Sequence, residues 1–201
     1  MTQGSEAGHL QISQRRGSEW VRHAVARVQS ASPAAPVRAP AEPLQAIKAR
    51  CPTHRSKEAH YQRVTDSGGE YGPLFQAVEE LWLGSRELLG RVRLPELSDD
   101  AAPRYRLHPI WLDACLQVAL ASAQLESGEL WVPSGLGQLR VEAAASSAAW
   151  VHVQHPAEAS GGAVGRTCAL RAFDAEGQTL LEVQGLKLAR LAPGAAPSPL
   201  S

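Results

Sequence analysis

The segment from His108 to Gln124 is the feature that most limits what this chain can fold into. Pro109 suits the first turn of a helix, and Gly128 follows as a stop signal. Apolar side chains recur along the segment at helical spacing, at Leu112, Cys115, Leu116, Ala119 and Ala123. The pattern predicts one long, mostly apolar helix, which has to be buried against other elements.

Strands are predicted on both sides of this helix. Before it, Phe75 to Leu83 and Glu87 to Leu94 form a hairpin around Gly84-Ser85. After it, apolar and β-branched runs predict five strands: Leu130–Val132, Gln138–Glu142, Trp150–Gln154, Arg166–Phe173 and Thr179–Leu191. One helix among several antiparallel strands predicts the α+β class, with a curved sheet wrapped around a central helix.

The N-terminal part of the chain is organised differently. Leu10 to Val28 predicts a second hairpin, with its turn at Gly17-Ser18. Residues 30–43 are rich in Pro and Ala and predict a semi-extended linker. Two short helices are expected next, from Leu44 to Arg50 and from Lys57 to Thr65, whereas residues 1–9 and 193–201 are expected to be a frayed start and a tail.

Composition excludes several classes of function. Twenty basic residues balance twenty acidic ones, so the basic excess of a nucleic-acid binder is absent. No apolar run reaches the roughly 18 residues of a membrane span, and the first residues lack the order of a signal peptide. The three cysteines are widely spaced, which argues against disulfides and a zinc site and favours a cytoplasmic protein. His152 and His155, three apart in a predicted strand, are not expected to bind a metal.

Two motifs carry a resemblance to a known family. The first is Tyr71-Gly72-Pro73-Leu74-Phe75-Gln76, and the second runs from His108-Pro109 through Asp113 to Gln117. In this order, about 35 residues apart, they resemble the second half of the dehydratase domain of modular polyketide synthases. The segments 130–135 and 182–190 resemble later strands of that half, so the resemblance covers roughly residues 10–192.

The resemblance implies a double hot-dog fold, built from two sheets that each surround a long helix. Residues 1–29 would contain the terminal hairpin of the first unit, residues 30–70 the connection, and residues 71–192 the second unit. The family's catalytic histidine lies in an H-x-x-x-G-x-x-x-x-P motif of the first unit. None of the seven histidines here is followed by Gly four residues later, so we expect the chain to lack that half of the site.

The implied reaction is the loss of water from a 3-hydroxyacyl chain that is carried on the phosphopantetheine arm of an acyl carrier protein. No cofactor is implied. Asp113 would be the acid that protonates the departing hydroxyl, and Gln117, four residues later on the same helical face, would orient it. The competing interpretation of Asp113 is an ordinary aspartate that interacts with the helix dipole.

The other predicted site residues would bind substrate: Tyr71, Gly72, Pro73, Phe75, His108 and Pro133. A simple turn is an equally good interpretation of Tyr71-Gly72-Pro73, and a structural role is the stronger one for His108. Pro133 could equally shape the substrate channel or simply end a strand. Two departures from the family pattern, Trp111 and Ala77, would reshape the pocket without removing the acid.

Three further interpretations stay open at this stage. The chain could be a non-catalytic scaffold, a dehydratase-like isomerase or cyclase, or a free-standing hot-dog enzyme, although the linker and hairpin argue against the last. A lone second unit would expose the apolar face that packs on the first. We therefore expect the chain to pair with a first hot-dog unit, with other synthase domains or with a second copy of itself.

Overall fold

The computed structural model describes residues 7–30, 42–95, 105–123, 130–143, 148–156 and 165–191. Most of the predicted linker, the tail, residues 1–6 and Gly128 lie outside these ranges. The chain divides into two compact units, Met1–Pro40 and Ala41–Ser201. None of the helices in the described ranges is long and apolar enough to cross a membrane.

The N-terminal compact unit, Met1–Pro40, contains a two-stranded antiparallel hairpin, as predicted. Its strands are β1 at Gly8–Arg16 and β2 at Glu19–Val28. Gly17 closes the turn with a φ of 61°, a left-handed conformation that glycine adopts without steric cost. The register places Leu10 opposite Ala26 and Ile12 opposite Ala24. One face of the hairpin therefore carries a row of exposed apolar side chains.

The described residues of the C-terminal unit form three α-helices, a short 3-10 helix and eight strands. The helices are α1 (Leu44–Arg50), α2 (Lys57–Asp66) and α3 (Pro109–Ala123), and the 3-10 helix is η1 (Pro73–Phe75). The strands are β3 (Thr53–Ser56), β4 (Val78–Leu83), β5 (Glu87–Arg93), β6 (Trp131–Gly135), β7 (Gln138–Val141), β8 (Ala148–Gln154), β9 (Gly165–Phe173) and β10 (Thr179–Arg190).

All eight strands belong to one antiparallel sheet. Its order is β3-β4-β5-β8-β9-β10-β6, and β7 also pairs with β10. The α+β class with one long central helix is confirmed, and the predicted helices and strands agree with the observed ones to within a few residues. The prediction that a strand begins at Phe75 is wrong, because Pro73 starts a 3-10 turn and pairing begins only at Val78.

Helix α3 forms the centre of the main apolar core. Eleven of its fifteen residues are buried, and the helix packs against β4, β5, β6, β8 and β9. Gly90 on β5 allows a close approach to α3, since a Cβ there would lie 2.5 Å from a γ-methyl of Val118. The absence of a side chain at position 90 therefore sets the distance between helix and sheet.

The opposite face of the sheet is covered by α1. Ile47 and Cys51 pack there on Leu89 and Phe173, beside Trp82 and Trp150. Strand β5 is consequently buried on both faces at Leu88, Leu89 and Gly90. This explains why the alternation of apolar and polar residues is lost in the middle of β5.

An ionic cluster fastens the end of α1 to the sheet. Arg50 donates to both carboxylate oxygens of Glu87, with N–O distances of 2.6 and 2.9 Å, and also to Glu42. The ring of His152 lies 2.8 Å from Glu87 Oε2. The bond from Arg50 lowers the pKa of Glu87, with a smaller contribution from His152. Burial lowers the pKa of His152 despite its carboxylate neighbour.

We predict that Gly90→Ala destabilises the fold through overpacking of α3, by about 1–3 kcal/mol. The free energy of unfolding can be measured by urea denaturation. Gly135→Ala is the matched control, because Gly135 is also a strand glycine and a Cβ there meets nothing within 4 Å. Equal stability of the two variants would contradict the proposed close approach.

A second prediction concerns Glu87→Gln. Because the folded-state pKa of Glu87 is lowered, its charge stabilises the fold above the unfolded value of about 4.3. That contribution is lost as pH falls through the folded pKa. The variant should lose about 1 kcal/mol at pH 7, since Arg50 is partly solvent-screened, and the difference should shrink below about pH 4. Chemical denaturation across pH measures it, with Glu79→Gln, a surface carboxylate paired with Arg91 and Arg93, as the control.

Candidate functional site

The site is organised by the first turns of α3. His108 precedes the helix and caps it: its carbonyl accepts the Leu112 N–H at 3.0 Å, and its Nδ1 lies 3.2 Å from the Ile110 N–H. Pro109 occupies the first helical position, where a backbone N–H would have no partner. The capping contact supports the structural interpretation of His108, whose role in substrate binding stays a prediction.

Asp113 and Gln117 follow one turn apart on α3. The Gln117 Nε2 donates to Asp113 Oδ2 over 2.6 Å, as the four-residue spacing predicted. Asp113 is half-buried, whereas the Gln117 side chain is almost completely buried. Burial raises the pKa of the Asp113 carboxyl, and the bond from Gln117 lowers it by a smaller amount. The result is a carboxyl group that keeps its proton to higher pH than an exposed aspartate does.

Every polar atom of the Gln117 amide has a partner. The second hydrogen of Nε2 is donated to the backbone carbonyl of Phe75 at 2.8 Å, and Oε1 accepts from the Tyr61 hydroxyl at 2.9 Å. The Tyr61 oxygen in turn accepts the Val78 backbone N–H at 3.0 Å. A buried network therefore links α2, η1, β4 and α3 beside Asp113.

The Tyr71–Phe75 segment contributes through its backbone as well as its side chains. Phe75 was predicted to bind substrate, yet the Phe75 atom that contacts the network is the carbonyl oxygen, and the residue is 41% exposed. Gly72 and Pro73 begin η1, and a Cβ at position 72 would meet nothing within 4 Å. Because the Gly72 backbone has no positive φ, the fold itself does not require glycine there.

Tyr71 lies beside Tyr61 and Asp113. The rings of Tyr61 and Tyr71 meet edge to face, with centroids 6.0 Å apart. Burial and the negative charge of Asp113 raise the pKa of the Tyr71 hydroxyl to about 12. At neutral pH Tyr71 is therefore a protonated hydrogen-bond donor close to Asp113.

Pro133, the remaining predicted site residue, is placed differently. It is exposed on the edge strand β6 and pairs with Leu188 of β10, a position where a missing N–H is tolerated. Its role in binding substrate stays a prediction. Among the residues that the structure describes, no cluster of three His, Cys, Asp or Glu side chains could hold a metal ion.

The seven histidines occupy other places. His9 and His23 are on the N-terminal hairpin, His54 lies 3.7 Å from Glu80, and His155 hydrogen-bonds Ser122. His60, on α2, is buried and its pKa falls to about 4 because of that burial. His108 caps α3, and His152 belongs to the ionic cluster.

Tyr61 was not predicted as a site residue from the sequence. The residue lies in the segment assigned to a connection, outside both motifs that carry the resemblance. The signal available was its helical spacing: His60, Tyr61 and Val64 form the buried face of α2. That pattern predicts burial but does not tell which group the hydroxyl contacts.

A comparison with protein families matches residues 39–198 to the polyketide synthase dehydratase N-terminal domain. Pikromycin polyketide synthase component PikAII of Streptomyces venezuelae is 31% identical over 190 residues, which cover 86% of this chain and 4% of that protein. PksN of Bacillus subtilis is 27% identical over 117 residues, or 58% of this chain and 2% of PksN. The chain thus spans a small part of these curated relatives.

Solved structures agree with the sequence match. A trans-AT polyketide synthase dehydratase domain from Brevibacillus brevis superposes with a TM-score of 0.80 at 25% identity, covering 92% of this chain and 66% of that domain. The dehydratase domain from the CurK module of curacin polyketide synthase gives 0.78 at 26% identity, covering 93% and 65%. The sheet and central helix are therefore those of the hot-dog fold, and the chain belongs to the polyketide synthase dehydratase family.

Proposed function

We propose that this chain supplies the acid half of a dehydratase active site. Asp113 would protonate the hydroxyl that leaves a 3-hydroxyacyl thioester carried by an acyl carrier protein. The observation that carries the proposal is the Asp113–Gln117 pair, a half-buried carboxyl with a raised pKa that is held by a fully partnered amide. Family membership supplies the reaction class.

The chemistry of elimination explains why such an acid is needed. A base removes the proton beside the thioester carbonyl, the electron pair forms the C2–C3 double bond, and the C3–O bond breaks. Hydroxide is a poor leaving group, so the acid transfers a proton to that oxygen and water departs with the 2-enoyl thioester as product. Because burial raises the pKa of Asp113, more of it is protonated near neutral pH than of an exposed aspartate.

The two oxygens of Asp113 have different surroundings. Oδ2 accepts the bond from Gln117, whereas Oδ1 has no hydrogen-bond partner in the described part of the chain. We infer that the acid proton sits on Oδ1, the oxygen that can face substrate. Tyr71, protonated and beside Asp113, would donate a second hydrogen bond to the leaving hydroxyl.

The base would come from a first hot-dog unit. No histidine in this sequence has the spacing of the family motif, and the seven present have the locations given above. A His-to-Phe mutant and an Asp-to-Asn mutant of the CurK dehydratase are each inactive. This fits a reaction that needs both residue types. The assignment of this chain to the C-terminal half rests on its motifs, whereas the matching family model describes an N-terminal domain.

The proposal also names partners. The chain spans 4% of PikAII and 65% of the CurK domain, which supports a place beside other synthase domains. The acyl carrier protein would deliver the substrate, and a cytoplasmic location follows from that assembly. The exposed apolar side chains on the N-terminal hairpin support pairing of this chain with a separate first hot-dog unit or with a second copy of itself.

The expected outcome is dehydration that depends on both halves. A 3-hydroxyacyl carrier protein is incubated with this chain, with and without a separately expressed first hot-dog unit, and intact-protein mass spectrometry follows the loss of water, about 18 Da. Asp113→Asn should lower the rate at least about 100-fold, since a positioned acid contributes that much.

The chain offers a matched control, Asp66→Asn. Asp66 also accepts a hydrogen bond from a glutamine four residues away, Gln62, at 2.9 Å, but it is exposed on α2. Its variant should dehydrate at the unaltered rate. No loss of water from folded protein with both halves present would contradict the proposal and favour a non-catalytic scaffold, and an isomerised or cyclised product would favour the other reactions on this fold.

A further inference from the structure

We propose that Tyr61 is a positioning residue, whose hydroxyl holds the Gln117 side-chain amide in the orientation that donates to Asp113. The catalytic meaning of this role rests on the proposed function, but the hydrogen-bonding role does not. Tyr61 lies on α2, in the sequence 52 residues before Asp113, and no motif discussed above includes it.

The direction of each bond in the network is fixed by its partners. The Val78 backbone N–H can only donate, so at 3.0 Å the Tyr61 oxygen is its acceptor. The single hydroxyl hydrogen of Tyr61 is then directed to Gln117 Oε1 at 2.9 Å rather than to the Phe75 carbonyl at 3.4 Å. A donor facing Oε1 requires the amide nitrogen to point the other way.

The other side of the amide gives the same assignment independently. The Phe75 carbonyl and the Asp113 carboxylate are both acceptors, and both lie next to Nε2, at 2.8 and 2.6 Å. A reversed amide would place Oε1 against a carbonyl oxygen and Nε2 against a hydroxyl that donates. Tyr61 and Phe75 therefore select the same orientation from opposite ends.

Water cannot readily replace the Tyr61 hydroxyl. Tyr61 is 9% exposed and Gln117 is 2% exposed. Without the hydroxyl, Gln117 Oε1 and the Val78 N–H both lose a buried partner, which costs more than an exposed bond does. The amide is then less firmly held, and its bond to Asp113 weakens.

The direction in which the Asp113 pKa changes distinguishes a positioning role for Tyr61 from a general loss of packing. The bond from Gln117 lowers the pKa of Asp113, so its loss should raise that pKa. A variant that merely admits water should lower the pKa, because water relieves the desolvation that raises it.

The test compares the Asp113 pKa in four proteins: the unaltered chain, Tyr61→Phe, Gln117→Leu and the double variant. Carboxyl carbon NMR shifts give the pKa, with Asp113→Asn assigning the signal. Both single variants should raise the pKa, and the double variant should match Gln117→Leu alone, because Tyr61 acts through Gln117. An unchanged or lowered pKa in Tyr61→Phe, or additive shifts in the double variant, would overturn the inference.

Thr65→Val is the matched control on the same helix. It removes the 3.1 Å bond from the Thr65 hydroxyl to the Tyr61 backbone carbonyl but leaves the Tyr61 hydroxyl and its bonds to Gln117 and Val78 in place, so the Asp113 pKa should not change. If Tyr61→Phe fails to fold, the unaltered protein still decides. The Gln117 amide signals and the Tyr61 hydroxyl-bearing carbon should both titrate with Asp113, and a silent Tyr61 would overturn the inference.

The dehydration assay gives a separate readout. With this chain and a first hot-dog unit both present, Tyr61→Phe should lower kcat about tenfold. The alkaline limb of the pH–rate profile should move to higher pH, because the Asp113 pKa rises. Coupled pKa values without any dehydration would contradict the proposed function and leave the Tyr61 role standing. Dehydration together with an Asp113 pKa that does not respond to Tyr61→Phe would support the proposed function and overturn the Tyr61 role.

Discussion

The burial of α3 against the sheet is the contact on which the other features of the C-terminal compact unit, Ala41–Ser201, depend. Eleven of the fifteen residues of this helix are buried, and most of them are apolar. Its packing surface is shared by strands that lie far apart in the sequence. Asp113 is part of the same helix. Asp113 is held at one depth because the residues on either side of it, Ile110, Trp111, Ala114 and Cys115, are locked in the core.

The polar network beside Asp113 satisfies the buried polar groups that this packing creates. A glutamine inside an apolar core carries two donors and an acceptor that all need partners. Gln117 finds them on three different elements, so its orientation is decided by the fold and not by its own helix. The Asp113 carboxyl is consequently held through one oxygen, Oδ2, and its other oxygen has no hydrogen-bond partner among the described residues.

Much of this arrangement could be predicted from the sequence, and the reasons for the exceptions are physical. Helical spacing located α3, and alternation located the long strands. The family resemblance singled out Asp113 and Gln117, and their four-residue spacing placed them on one face of the helix. Strand β3 was not predicted, because Thr53 to Ser56 is short and polar and pairs only with β4 at the sheet edge. Tyr61 could not be assigned to the site, because its partner Gln117 is 56 residues away and local pattern carries no information on such contacts.

The approach of β5 to α3 has a consequence for how the sequence can vary. A methyl group at position 90 would occupy the space of the Val118 side chain, so the two positions share one fixed volume. A larger residue at 90 is compatible with the fold only when residue 118 becomes smaller. Positions 90 and 118 are therefore expected to covary among relatives, with a small residue at one wherever the other is large, although 28 residues separate them in the chain.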